Sequence, residues 1–388
     1  MSVDVEVVGS APTGGGTPRG RGTWSLSWHG LRTVTVLELR QRVRSTRWKT
    51  ALIVWFVVVG LITLLTTGAF QMLSSDTGLT GGDASYGGTV YSIVVGFVLF
   101  LGLLVAPTLS SGAINGDRNA GTLATLQVTL LSPAEIVLGK LAAAWIAALA
   151  FLVASIPFLA WALIGGGVHW FALLTTVLML ALVLGVVCAI GLGFSAMVSK
   201  TSGSAVLTYL TIGAITVALP ILFGLLVPVT STTEEVEVWD VEAGYNWEET
   251  TAPECEWQTH EMSVWHSERT WWLLAPNPFV VVADAQPLQG DVDVLANEGN
   301  MLAMLQYGVR YARTGDTGPQ DWCSEFVSDE SGRGAQPDSP VEPVEVTDQL
   351  VWPWGLGFDL LLGAAGILVA VNRLRIPTTE LPQGTRVA

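Results

Sequence analysis

Residues 115–140 read Asn115-Gly-Asp-Arg-Asn-Ala-Gly-Thr-Leu-Ala-Thr-Leu-Gln-Val-Thr-Leu-Leu-Ser-Pro-Ala-Glu-Ile-Val-Leu-Gly-Lys140, a polar, patterned stretch between two long apolar runs. A connection between membrane helices needs only a few polar residues. This one carries an acid–base pair, Asp117-Arg118, a Gly121-Thr122-Leu123 step and a helix-start signature. Leu123, Leu126 and Leu130 share one helical face, while Thr125 and Thr129 point elsewhere, which predicts a short amphipathic helix. Ser132-Pro133-Ala134-Glu135 predicts a capping box, with Ser132 as N-cap, Pro133 at the first helical position and Glu135 closing the reciprocal bond. The next apolar helix starts there, with Gly139-Lys140 one turn further on.

The flanking runs set the fold class. Half of the residues are hydrophobic and 13% charged, and the mean hydropathy is +0.51, values suited to a multi-span membrane protein. A hydrocarbon core of about 30 Å takes about 20 apolar residues as a helix. Six runs are long enough: 51–70, 91–109, 136–164, 171–198, 205–229 and 352–371. The expected fold is an all-α polytopic bundle, because lipid offers no hydrogen-bond partners to an irregular backbone. The expected division is a disordered cytoplasmic tail over 1–30, clearest in the Gly-, Pro- and Thr-rich 1–22. A unit over 31–230 follows, holding an interfacial helix, five spans and the patterned connection at 113–131. The loop over 231–350 comes next, and 351–388 supplies the sixth span and a tail.

Charge gives the orientation. Fourteen Lys and Arg fall before the first span, at the second and fourth connections or after the last span; the other four are Arg269, Arg310, Arg313 and Arg333. By the positive-inside rule both termini are cytoplasmic. The net charge of −15 resolves into −20 over 231–350, from 24 acidic and 4 basic residues, and +5 elsewhere. The acidity thus belongs to one large external loop between the fifth and sixth spans. The basic rim suits anionic headgroups; no nucleic-acid module accompanies it, so no nucleic-acid partner is expected. Residues 31–50 can form a helix at the inner surface, with Arg40, Arg44 and Arg47 in one row. A plain interfacial anchor suffices to explain it, and contact with a cytosolic partner is the alternative. Cys188 reads as a small buried hydrophobe, whereas Cys255 and Cys323 share the external loop, where a disulfide is expected. The four His and three Cys never cluster at ligand spacing, so no metal site is expected.

The connection resembles that of the type-2 membrane permeases of ATP-binding-cassette transporters. There the second and third spans are linked by an acidic-Arg pair, Gly-Thr-Leu, a Leu-bearing helix, a Pro-led restart and Gly-Lys. Here these are Asp117-Arg118, Gly121-Thr122-Leu123, Leu126, Ser132-Pro133 and Gly139-Lys140. Asp117 stands where Glu is usual, and the loop before the last span is unusually long. The resemblance implies a coupling helix that docks on a separate ATPase subunit, which would carry the ATP and Mg, with no cofactor on this chain. It also implies pairing with a second copy or a paralogue in the plasma membrane, and export. A Pro-Phe-bearing external hairpin, here Asn277-Pro278-Phe279, is implied as a cap before the last span.

Other classes are weaker. Gly139-Lys140 is not part of a phosphate loop, since Ala134 stands where the first Gly is needed and Leu141 where Ser or Thr would bind magnesium. An intramembrane protease would use Ser195, but His169 lies 26 positions away on the same run, roughly 39 Å at the helical rise. Gly185, Gly191, Gly193, Ser195 and Ala196 read as close helix packing. A structural or sensory protein docking another cytosolic partner remains the rival. Asp359, an acid well inside the last apolar run, is a candidate transport-path residue, with pairing or snorkelling as the plainer alternative.

Overall fold

The computed structural model describes residues 23–76, 86–122, 131–165, 168–242, 245, 255–287, 300–315, 318–323, 340–341 and 349–375. The expected tail over 1–22, the Leu123–Leu130 helix, most of residues 316–348 and the chain after 375 lie outside the described residues.

Among the described residues, six helices are long and apolar enough to cross a membrane: Thr46–Met72, Gly87–Asn119, Pro133–Ile164, Trp170–Met197, Thr201–Thr230 and Trp352–Arg373. A shorter, more polar helix, α1 (Trp28–Arg44), precedes them. The first span is carried by α2 (Thr46–Asp76), and the second by α3 (Tyr86–Ser110), which runs through a turn into α4 (Asn115–Asn119). The third and fourth are α5 (Pro133–Ile164) and α6 (Trp170–Met197). The row expected of Arg40, Arg44 and Arg47 is broken: Ser45 is extended, at φ −72° and ψ 126°, so Arg47 belongs to α2. Nor does the tail reach residue 30. Residues 23–30 pack on the start of α5, with Ala134 N–H bonded to Thr23 O at 3.3 Å.

The core binds α2, α3, α5 and α6 through Trp55, Val94, Leu99, Phe151, Leu180 and their neighbours. Polar anchors fix the rotation of the helices: Trp55 Nε1 donates to Ser155 Oγ at 2.9 Å, and Trp145 Nε1 to Ala181 O at 2.8 Å beside Gly185. The sixth span, α11 (Trp352–Arg373), packs chiefly on α6. There the backbones nearly touch, since a Cβ on Gly193 would lie 2.7 Å from Gly366 Cα. The small-residue run of α6 is therefore a helix-packing surface.

The fifth span is made of α7 (Thr201–Gly213), a wide π turn (Ala214–Ala218), α8 (Leu219–Leu226) and a short 3₁₀ end (Val227–Thr230). Pro220 explains the irregularity: it has no N–H to give the Thr216 carbonyl four residues earlier. The side chain of Asn277 supplies that donor, its Nδ2 lying 3.2 Å from Thr216 O.

Between the fifth and sixth spans the fold is not all-α, and the expectation is corrected there. β1 (Thr232–Val241) and β2 (Cys255–Val264) form an antiparallel hairpin, and the short β3 (Gln320–Asp321) adds in parallel to give the order β2-β1-β3. The alternation Glu235, Val236, Glu237, Val238 puts the valines on one face, where Val264, Met262 and Trp322 cover them. Cys255 and Cys323 are bonded to each other. Beyond β2, α9 (Pro278–Asp284) and α10 (Met301–Thr314) close the end of the bundle opposite α1. Asn277 caps α9 through Phe279 N at 2.9 Å, and Met301 N reaches Ser92 Oγ at 3.2 Å on α3.

Candidate functional site

The patterned connection and the two helix starts beside it form one buried polar knot. Ser132 caps α5 by accepting from Glu135 N at 3.1 Å, and Glu135 Oε2 accepts from Ser132 N at 2.8 Å, closing the box. The other carboxylate oxygen, Oε1, accepts from Ser27 N at 2.7 Å, and Ser27 is itself the N-cap of α1. Glu135 is fully buried. The restart signature therefore holds two helix N-termini together, and a carboxylate between them suits both dipoles.

One turn on, the Gly-Lys pair is explained by α1 crossing α5. A Cβ on Gly139 would meet Val34 Cβ at 2.7 Å, and Thr35 Oγ1 donates to Gly139 O at 3.2 Å. Lys140 has a side chain only 1% exposed, and its Nζ bridges Glu38 Oε1 of α1 and Asp117 Oδ2 of α4, the latter at 2.5 Å. A buried ammonium needs such partners. Asp117, the acid of the Asp117-Arg118 pair, is thus engaged within the chain. Arg118, half-exposed, has no ion-pair partner among the described residues. Gly121 ends α4 at φ +71°, a conformation that favours glycine, and its N–H bonds Arg118 O at 3.2 Å. Thr122 Oγ1 donates to Asp117 O at 3.3 Å. Leu123, Leu126 and Leu130 lie outside the described residues.

Sequence reasoning missed four participants. Glu38 is the only acid in the basic stretch 31–50, and that isolation was the available signal. Arg42 Nη2 donates to Leu109 O at 2.8 Å, capping the end of α3. Burial pushes the Arg42 guanidinium down from its ordinary value, and Glu38 opposes this. Asn115 and Ser195 were also missed as a pair: Ser195 Oγ accepts from Ile114 N at 3.0 Å and from Asn115 N at 3.2 Å, and donates to Asn115 Oδ1 at 3.1 Å. Asn115 Nδ2 continues to Ser204 Oγ at 2.8 Å. Ser195 is thus spent on the break between α3 and α4.

At the opposite end a second knot ties the cap to the last span. Asp284 Oδ1 accepts from Arg310 Nε at 2.6 Å, while Oδ2 accepts from Val351 N and Trp352 N, both at 2.7 Å. One buried carboxylate therefore ends α9, pairs with α10 and caps α11. Gln286 Nε2 reaches Thr176 Oγ1 at 2.6 Å, and Tyr91 OH meets the same hydroxyl at 2.6 Å. Asp359 is 4% exposed on the face of α11 shared with Gly355, Gly363 and Gly366, and has no hydrogen bond or ion pair among the described residues.

A family model described as ABC-2 family transporter protein matches residues 32–262. No curated protein matches the chain significantly.

Proposed function

The chain belongs to the ABC-2 transporter permease family, a family of membrane transport subunits, and from that premise we propose that it couples a separate ATPase to export across the plasma membrane. ATP and Mg belong to that partner, and no catalytic residue is assigned to this chain. The observation that carries the reading is the knot at α4. Lys140 fixes Asp117 against Glu38 of α1, so α1, α4 and α5 are joined by charge, and Arg118 is left without an ion-pair partner among the described residues. A push on 113–131 would then be felt at once by α1 and the third span.

The orientation, with both termini cytoplasmic, is supported by the fourteen cations on the α1 side and the 24 acids over 231–350. Pairing with a second copy or a paralogue is supported by the fifth span, where Ser204, Thr208, Ile212 and Ile215 form the buried stripe and Val206, Leu210, Val217, Ile221 and Leu225 stand exposed to lipid or another chain. Asp359, buried against α6, is the intramembrane group assigned to the transport path.

The test is co-purification, from the native host, with a nucleotide-hydrolysing partner. Arg118→Glu is expected to reduce recovery of the ATPase by about tenfold, as loss and reversal of a charge-assisted contact implies, while the permease still elutes as the wild type does. Unaltered co-purification and transport would overturn the docking assignment, and failure to recover any nucleotide-hydrolysing partner would favour a structural or sensory role.

A further inference from the structure

An open groove of about 1090 Å³ runs along the sixth span near its N-terminal end, walled by Leu219 of the fifth span, by Trp271 and Trp272, and by Trp354, Phe358 and Leu361 of α11. Two of its walls are membrane-length helices, so the medium beside it is hydrocarbon, and its lining is almost wholly apolar. Trp354 and Trp272 are 63% and 59% exposed. Indoles gathered at one level of a membrane protein mark the headgroup boundary.

The charge at this wall is unlike that of the segment around it. Residues 231–350 hold 24 acids and four bases. Of the bases within the described residues, Arg310 is buried on Asp284, Arg313 lies over the Trp271 ring, and Arg269 is three residues before Trp272 and accepts from its indole through the backbone. The Arg313 guanidinium carbon lies 4.8 Å from the centre of the Trp271 ring, and Arg313 Nη1 donates to Leu350 O. Trp272 Nε1 donates to Arg269 O at 3.1 Å. Arg269 has a side chain 57% exposed, and its Nε lies 3.9 Å from Glu268 Oε1, an oxygen that is engaged more closely by His266 Nδ1 at 2.7 Å. Arg313, its guanidinium over the Trp271 ring, and Arg269, its backbone bonded to the Trp272 indole, therefore stand next to two tryptophans that line the groove.

We propose that this groove binds one anionic glycerophospholipid, its acyl chain along Leu219, Phe358 and Leu361 and its phosphate at Arg313 and Arg269. Apolar walls select the chain, and the guanidiniums select an anionic head over a zwitterionic one. The site requires neither an ATPase nor a transported substrate, so it stands or falls apart from the proposed function.

The test uses the full chain in nanodiscs of equal phosphatidylglycerol and phosphatidylcholine, with a photoactivatable acyl analogue of one lipid or the other, and maps the label on α11. Phosphatidylglycerol is expected to label 357–364 about threefold more than phosphatidylcholine, the scale of an exposed ion pair. Arg269→Gln and Arg313→Gln should each lower that preference, and together bring it to parity. Gly357→Phe, at a position where a Cβ meets nothing within 4 Å, should fill the groove and remove its label without changing elution. Equal labelling by both lipids, or labelling that Gly357→Phe leaves intact, means annular lipid only and overturns the proposal. A protein–protein cross-link in place of the lipid label overturns it as well.

Discussion

Lys140 shows how one buried charge is made tolerable. Its ammonium is withdrawn from water but meets two carboxylates, Glu38 and Asp117, whose side chains remain 18% and 31% exposed. Lys140→Met leaves both acids facing an apolar side chain, and is expected to lower stability by about 2–3 kcal/mol, below the full cost of breaking a wholly buried pair. The midpoint of denaturant unfolding in detergent measures it, and Glu38→Gln in the same chain should restore part of the loss. Asp284 is the harsher case, because it and Arg310 have side chains 0% and 4% exposed. Asp284→Asn keeps the shape but removes the negative charge against the buried Arg310 guanidinium, an expected loss of about 3–5 kcal/mol by the same measurement. At this scale the sequence showed Gly139-Lys140 as a motif and not the reason for it. The partner carboxylate of Glu38 lies 102 positions away, and local patterning cannot reach across that separation.

Elements were legible wherever lipid dictated them. The run 136–164 and the Ser132–Glu135 box set the start of α5, since both a cap and an apolar periodicity are local properties. The β1–β2 hairpin was not read, because its alternation is written in Glu and Val and the acids dominate the composition. Strand β1 begins directly after the fifth span, and its root is held by Glu234. Thr232 donates to the Glu234 carboxylate, and with His266 beside it this lowers the Glu234 pKa from 4.5. A depressed carboxylate stabilises the fold above its ordinary value, and that contribution disappears as pH falls through the lowered one. Hydrogen exchange in 232–241, corrected for intrinsic rate, should therefore quicken below about pH 4.5, and Glu234→Gln should remove that change. Between α6 and α11 the contact is backbone on backbone. Gly193→Val must push Gly366 away, at an expected cost of about 1–3 kcal/mol seen as a lowered melting temperature.

The whole molecule is a membrane bundle closed by different chemistry at its two ends. On the α1 side, ion pairs and helix caps join α1, α4 and α5; on the other, α9 and α10 plug the bundle, and the sheet projects from the fifth span. Hydropathy made the six spans readable, and no comparable rule reads 231–350, whose order depends on long-range pairing. The Cys255–Cys323 bond spans 68 positions and encloses the entire α9–α10 cap. A loop of that length implies up to about 4 kcal/mol of stabilisation over the reduced chain, so reductant, or Cys255→Ser with Cys323→Ser, should raise proteolytic cutting between β2 and α10.

Thr216 brings the fifth span and the cap down to one oxygen atom. Its carbonyl lost its customary donor to Pro220 and took the amide of Asn277, the residue that also starts α9. Two claimants therefore exist for one acceptor, a backbone nitrogen that the proline ring has disabled and a side chain from the plug. Pro220→Ala gives the first claimant its hydrogen back. If that nitrogen captures the oxygen, the plug loses its latch, and faster exchange over 278–284 would record the loss. Proline at this position thus acts as a vacancy that a distant side chain fills, and the seating of the cap depends on the vacancy staying open.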